Sequence, residues 1–246
     1  MELPIFNDNL KSSGTWAAAL ARDFEAWRQA TAEDPSLGLA VRAAQVRHLS
    51  GQAAPGLDDQ RLAEAFEAVS RWATETPARF DLERLLELHR LLLGAAPADA
   101  ILRTAAPPLL SEWHDPAPAS LLPRMLELAF DWFTSPSFEE LHPVEQATVV
   151  YLRLLDLHPF PAHMETTALL TAGFYTRRAS FPMLVIDANE NDRARFQQAR
   201  DAAFRMLTQP LVELFADQLS RDMRSVREEM DGTNVTNGTD GTEGTN

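Results

Sequence analysis

The chain contains no cysteine, so disulfides and thiolate metal sites are excluded. Lysine is almost as scarce: Lys11 stands alone, and every other cation is an arginine. No apolar run reaches the roughly 18 residues that a membrane-spanning helix needs, so none is expected. The first ten residues, MELPIFNDNL, lack a basic segment followed by an apolar stretch. No secretory signal is read there, and the cytoplasm is the expected compartment. Positive charge is lacking overall, with a formal net charge of −14. Removing the three acids of residues 231–246 leaves the rest near −11. Nucleic acid is therefore not an expected partner, because phosphate backbones are held by concentrated Lys and Arg. No repeat of fixed period is present, which argues against a solenoid. What is present is an ordinary globular composition, 45% hydrophobic over 246 residues.

Helical periodicity dominates that composition. Trp16, Leu20, Phe24 and Trp27 recur at helical spacing within residues 12–32, a stripe expected to face a core. Ser36 can cap a helix over 37–48, Asp58 or Asp59 one through Trp72, and Asp81 one over 82–93. His89, in that last segment, reads as structural or surface rather than as a ligand. Residues 95–119 are rich in proline and alanine and too long for a simple helix connection. Within them Leu109, Leu110, Ser111, Glu112 and Trp113 read either as a rigid surface loop or as a short extended flap. Ser120 can cap a helix over 121–133 whose inner face is expected at Met125, Leu128, Ala129 and Trp132. Phe181 to Ile186 is short, apolar and suited to extended backbone. Asn189 or Asn191 starts a helix through Ala203, Pro210 breaks it, and a last helix runs from Leu211 to about Met230. Residues 231–246, DGTNVTNGTDGTEGTN, have almost nothing apolar to bury and are expected to be a disordered tail.

The chemistry concentrates between His142 and Arg178. Val144 to Leu157 is apolar on nearly every face, as in a helix at the middle of a bundle. Pro143 suits the first helical position, and Glu145 suits the positive end of the dipole. The chain breaks at His158-Pro159-Phe160-Pro161, because two prolines in three residues cannot continue a helix. A second, amphipathic helix is expected from Ala162–Glu165 towards Arg177. A helix start offers unpaired N–H groups and partial positive charge, suited to a phosphate. A histidine just before it can accept a proton from a hydroxyl attacking that phosphate, or simply cap the preceding helix. His158, His163, Glu165 and His142 could also be read as a His/Glu metal set, although their spacing matches no standard ligand pattern.

These residues resemble the Fic (filamentation induced by cyclic AMP) family, whose motif reads H-P-F-x-D/E-G-N-G-R-x-x-R. The resemblance implies an all-α, single-domain bundle that transfers a nucleotide monophosphate, usually AMP from ATP, to a protein hydroxyl. In that family the histidine is general base, the acid holds Mg²⁺, the G-N-G backbone cradles phosphate, and the arginines bind outer phosphates. Here His158, Pro159 and Phe160 match, followed by Pro161. Ala162 stands at the acidic position, His163-Met164-Glu165 at G-N-G, and Thr166 and Leu169 at the two arginines. The Fic inhibitory helix ends in S/T-x-x-x-E-G/N. Val46, Ser50 and Gly51 stand where an N-terminal version would fall, with Gly51 expected as a helix C-cap. Arg103 and the 109–113 flap resemble the region that docks the target segment by strand addition.

The expectation is thus a Fic-type bundle of about eight helices, with or without a small β-hairpin flap. Residues 1–56 would form the N-terminal helices, 57–230 the core and 231–246 the tail. The loss of the acid and both arginines together implies a protein that binds a protein or small ligand without ordinary AMP transfer and needs no cofactor or metal. One alternative is a divergent transferase using ATP and Mg²⁺ with His158 as base. The other is a metal-dependent hydrolase on His158, His163 and Glu165.

Overall fold

A helix that is apolar all round can be stable only where other helices cover every face, and the fold is built on that requirement. The computed structural model describes residues 15–52, 57–94, 102–186 and 190–236, with side chains given except at 51–52, 190–192 and 226–236. The N-terminal decapeptide, residues 95–101, Asn189 and the last ten residues of the tail lie outside that set. Ten α-helices are present among the described residues: α1 (Thr15–Glu33), α2 (Ser36–Gln52), α3 (Asp59–Trp72), α4 (Leu82–Leu93), α5 (Leu122–Phe133), α6 (Pro136–Glu139), α7 (Pro143–Leu157), α8 (Met164–Arg178), α9 (Glu190–Phe204) and α10 (Gln209–Thr236). A 3₁₀ turn, Ala119–Leu121, precedes α5, and the described residues contain no strand.

The centre is α7 against α8, the most extensive helix pair, flanked by α3 and α4 on α8 and by α5, α9 and α10 on α7. Helix α7 is buried from Val144 to Leu157 except at Asp156. Helix α8 is not amphipathic as expected: it is buried from Thr167 through Thr176, because α3 and α4 cover the face opposite α7. The threonines that made it read as amphipathic return their hydroxyls to the helix, Thr171 Oγ1 donating to Thr167 O at 2.8 Å.

Caps fix the helix starts. The Asp58 carboxylate accepts the Gln60 N–H at 2.7 Å, and Asp81 accepts that of Arg84 at 3.0 Å. For α2 the cap is Asp34, which accepts the Ser36 N–H at 2.9 Å, so Ser36 lies inside the helix. Helix α7 begins with a reciprocal pair: His142 Nδ1 accepts the Val144 N–H, and Glu145 accepts the His142 N–H at 2.8 Å. Ser120 makes no cap, since a 3₁₀ turn intervenes, and the inner face of α5 is Leu122, Leu126, Ala129, Phe130 and Phe133. Leu128 is exposed instead. Two stripes of helical period overlap on α5, and packing against α7 selects the more aromatic one. Gly51 is not a C-cap, because α2 continues through Gln52. Helix α10 runs to Thr236, into the stretch read as tail. Once nucleated, a helix extends at small cost per residue.

Candidate active site

The site is the connection between α7 and α8, residues 158–163. Pro159 and Pro161 end α7, and His158 turns the chain in the left-handed region at φ 44° and ψ 58°. That conformation costs a non-glycine residue roughly 1–2 kcal/mol. It is held in place by hydrogen bonds: the His158 N–H donates to Leu154 O at 2.9 Å. The buried Arg103 side chain donates from Nε to His158 O at 2.6 Å and from Nη2 to Leu157 O at 3.3 Å and to Ala117 O. Its Nη1 donates to Ala105 O at 2.9 Å, and its backbone N–H to Pro159 O at 2.9 Å. Arg103 is therefore a staple between the turn and the 102–118 segment, its guanidinium facing carbonyls rather than solvent.

His158 itself is 4% exposed, and its Nδ1 is buried without a hydrogen-bond partner. Burial, then the neighbouring His114 and Arg103, push its pKa down to about 4, so the ring is neutral at pH 7. His114 stacks on it at 5.9 Å between centroids. The His114 Nε2 lies 3.3 Å from Asp156 O and its Nδ1 accepts the Leu110 N–H at 3.1 Å, which assigns the proton to Nε2.

The far side of the turn rests on His89. This ring is fully buried and stacks on Phe160 at 3.8 Å, a structural histidine. Its Nδ1 is 3.1 Å from Thr167 Oγ1, whose own proton goes to His163 O at 2.8 Å. The His89 proton is therefore on Nδ1, leaving a buried Nε2 lone pair with no partner. Burial, and next the charge of His163, take its pKa down to about 3.

His163 caps α8 in the left-handed region at φ 50° without a side-chain cap bond. Glu165, in the first turn, accepts from the Tyr151 hydroxyl at 3.1 Å and from Arg200 Nη1 at 3.1 Å. Arg200 comes from α9 and lies over the Phe196 ring at 6.0 Å. Pro161 is exposed, Ala162 and Thr166 are half-buried, and Met164 is buried. His158, His163 and Glu165 do not form a ligand set: among the described residues no group of three or more His, Cys, Asp or Glu could hold a metal.

The expected flap is not a hairpin. Pro107 and Pro108 remove ladder donors. The Leu110 N–H is taken by His114, and the Trp113 N–H by Ser111 Oγ at 3.3 Å. Leu109 and Trp113 remain exposed, Glu112 with them, and Arg205 at the end of α9 lies 5.9 Å over the Trp113 ring. The segment does border the site, through His114. Val46 and Ser50 are half-buried on α2, which packs on α1, α3 and α10. Sequence reasoning missed Arg200, Tyr151 and His114. Only the Tyr151 hydroxyl, on a largely apolar helix, offered any signal.

No family model matches the chain. A curated protein adenylyltransferase Fic from Nematostella vectensis is 30% identical over 141 residues, 57% of this chain and 31% of that protein. Caenorhabditis briggsae protein adenylyltransferase fic-1 is 26% identical over 106 residues, 43% of this chain and 21% of the relative. Among solved structures, a fragment of Caenorhabditis elegans Fic-1 superposes with a TM-score of 0.59 at 20% identity, covering 92% of this chain and 70% of that one. A Fic-domain signalling protein from Bacteroides thetaiotaomicron does so with a TM-score of 0.61 at 17% identity, covering 94% and 97%. The fold is that of the Fic-domain proteins, and over 57% of the chain the sequence is similar to a protein adenylyltransferase Fic. It spans less than a third of the length of the curated Fic relatives it matches.

The Mg²⁺ that the Fic resemblance implies has no matching donor set here. Ala162, at the acidic position, offers a methyl group, and the nearest motif carboxylate, Glu165, is engaged by Tyr151 and Arg200.

Proposed function

We propose that this chain is a divergent Fic-type transferase that moves a phosphate-containing group onto a hydroxyl of a partner protein, with His158 as general base. The observation that carries the reading is a neutral imidazole, held in a left-handed turn by Arg103, with a nitrogen that no protein group occupies. In the step proposed, the hydroxyl oxygen bonds to phosphorus, the bond from phosphorus to the leaving group breaks with its electrons, and the hydroxyl proton passes to His158. A base with a pKa near 4 is weak. A donor phosphate beside the ring favours the protonated form and raises that pKa towards the neutral range where general bases work best. Arg200, which reaches the first turn of α8 from α9, is the cation that stands in for the missing motif arginines. The adenylyltransferase names of the relatives support the donor class, a nucleoside triphosphate. Such donors suit a cytoplasmic setting, and no described helix is long and apolar enough to cross a membrane.

A second reading is favoured by Glu165. Its carboxylate fills the first turn of α8, where the family holds phosphate, and this suits a protein that binds a partner without transfer. Incubation of the chain and a cell extract with labelled nucleoside triphosphates and a phosphocholine donor separates the two. Label that disappears in His158→Ala supports transfer. Absence of label with every donor, alongside a stable protein complex, leaves binding alone.

A further inference from the structure

At the far end of α8, a cavity of about 180 Å³ lies among α1, α2, α3 and the segment after α8. Arg177, which faces it, is thirteen residues from Met164, or about 20 Å along the helix axis. The walls are apolar at Trp27 and Met183, and four polar side chains converge on it: Arg42, Gln45, Ser70 and Arg177. Their hydrogen bonding is incomplete in one consistent direction. Arg177 is half-buried, its Nε is buried without an acceptor, and no described carboxylate pairs with it. Arg42 reaches Glu67 with one terminal nitrogen, yet its Nε is also buried and unpartnered. Each guanidinium adds to the cost of the other, and burial together with Arg42 holds the Arg177 pKa below its ordinary value. Gln45 is 2% exposed. Its amide nitrogen donates to Met183 O and, at 2.9 Å, to Asp222, which fixes the amide orientation and leaves Oε1 buried with nothing to accept from.

A chain carrying −14 has acids to spare, but none among the described residues is paired with Arg177. A cation in the last turn of α8 does suit the helix dipole. Arg178 already meets that need while paired to Glu139 at 3.2 Å, and the dipole explains neither the second arginine nor the orphaned Gln45 oxygen. We infer that this cavity is a ligand site distinct from the His158 turn, for a small carboxylate bearing a hydroxyl or amino group. Of the two guanidinium groups that line the cavity, Glu67 offsets Arg42, and Asp222 lies behind the Gln45 amide outside the lining, which leaves Arg177 to meet a monoanion. The planar fork of an arginine matches a carboxylate. Gln45 Oε1 demands an N–H or O–H donor on the ligand. The volume suits a compact guest, since a cavity of about 150 Å³ is enough for benzene. The combination of apolar walls with a few convergent polar groups is that of small-molecule sites in general.

The test uses the full chain and 4-hydroxybenzoate as probe, with neutral 4-hydroxybenzamide as its control, read by calorimetry and by thermal shift. The expected results are saturable binding of the carboxylate, at least tenfold weaker binding of the amide, and at least tenfold weaker carboxylate binding in Arg177→Met. Arg177→Lys should retain part of the affinity. Without ligand, Arg177→Met should melt at or above the wild-type temperature, because it removes an unmatched cation; a purely structural arginine would lower it on removal. The inference is overturned by no saturable carboxylate binding, by equal binding of the amide, by unaltered affinity in Arg177→Met, or by a lower melting temperature in that variant. None of these outcomes bears on His158.

Discussion

Arg103→Met tests how the turn is held. The substitution keeps much of the side-chain volume but strands the carbonyls of Leu157, His158, Ala105 and Ala117. Those of Leu157 and His158 are in buried surroundings. Hydrogen bonds to a charged group contribute about 1.5–3 kcal/mol each, so the two buried ones together are worth about 3–6 kcal/mol. Relief of the arginine's own burial offsets part of this, since desolvation already lowers its pKa. A net loss of about 3 kcal/mol is expected, which for a chain of this length lowers the melting temperature by about 6–12 °C. Urea unfolding and a thermal melt at pH 7 measure it. A parallel NMR titration should find the His158 pKa above its starting value near 4, because a neighbouring positive charge has gone. A loss below about 1 kcal/mol with an unmoved His158 titration would show that the left-handed turn does not depend on Arg103.

Stability should fall as the pH drops from 6.5 towards 4, because His89 and His158 stay neutral in the fold while the unfolded chain takes up protons near 6.5. Each such group contributes a slope of about 1.4 kcal/mol per pH unit in that window. His89→Leu should remove one of them in pH-dependent urea melts, and an unchanged slope would count against the assignment. Glu165→Gln removes the carboxylate from the first turn of α8 and unlocks Arg200, so binding of a labelled nucleoside triphosphate should strengthen about tenfold, which is about 1.4 kcal/mol. Equal or weaker binding by calorimetry refutes the stand-in role of Arg200. Gly94 ends α4 at φ 63°, and a Cβ there would meet the Arg61 guanidinium at 2.6 Å. Gly94→Ala should therefore cost about 1–2 kcal/mol, the left-handed penalty, while the flexible Arg61 moves aside. A neutral substitution in chemical unfolding would contradict this.

The break at Pro159 and Pro161, the buried helix before it and the histidine-led loop after it were legible in the sequence, because each follows from local chemistry: side-chain period, proline's missing donor and the caps that Asp58 and Asp81 supply. The amphipathic reading of α8 failed because threonine is polar only until its hydroxyl bonds back to its own helix, and period alone does not reveal that. The hairpin at 109–113 failed because a side chain, His114, claimed the donor that a ladder would have used. The inner face of α5 lay between two stripes that period cannot separate. Sequence by itself determined where most helices lie and which one had to be central, while the starts of α2 and α5 and the ends of α2 and α10 fell elsewhere. Tertiary structure alone decided that Arg103 grips a turn 55 residues away, that Arg200 reaches Glu165 across 35, and that Arg42 and Arg177 share one cavity. Dihedral preference and periodicity act over a few residues, whereas these meetings depend on how whole helices pack, and no short-range pattern encodes the partner.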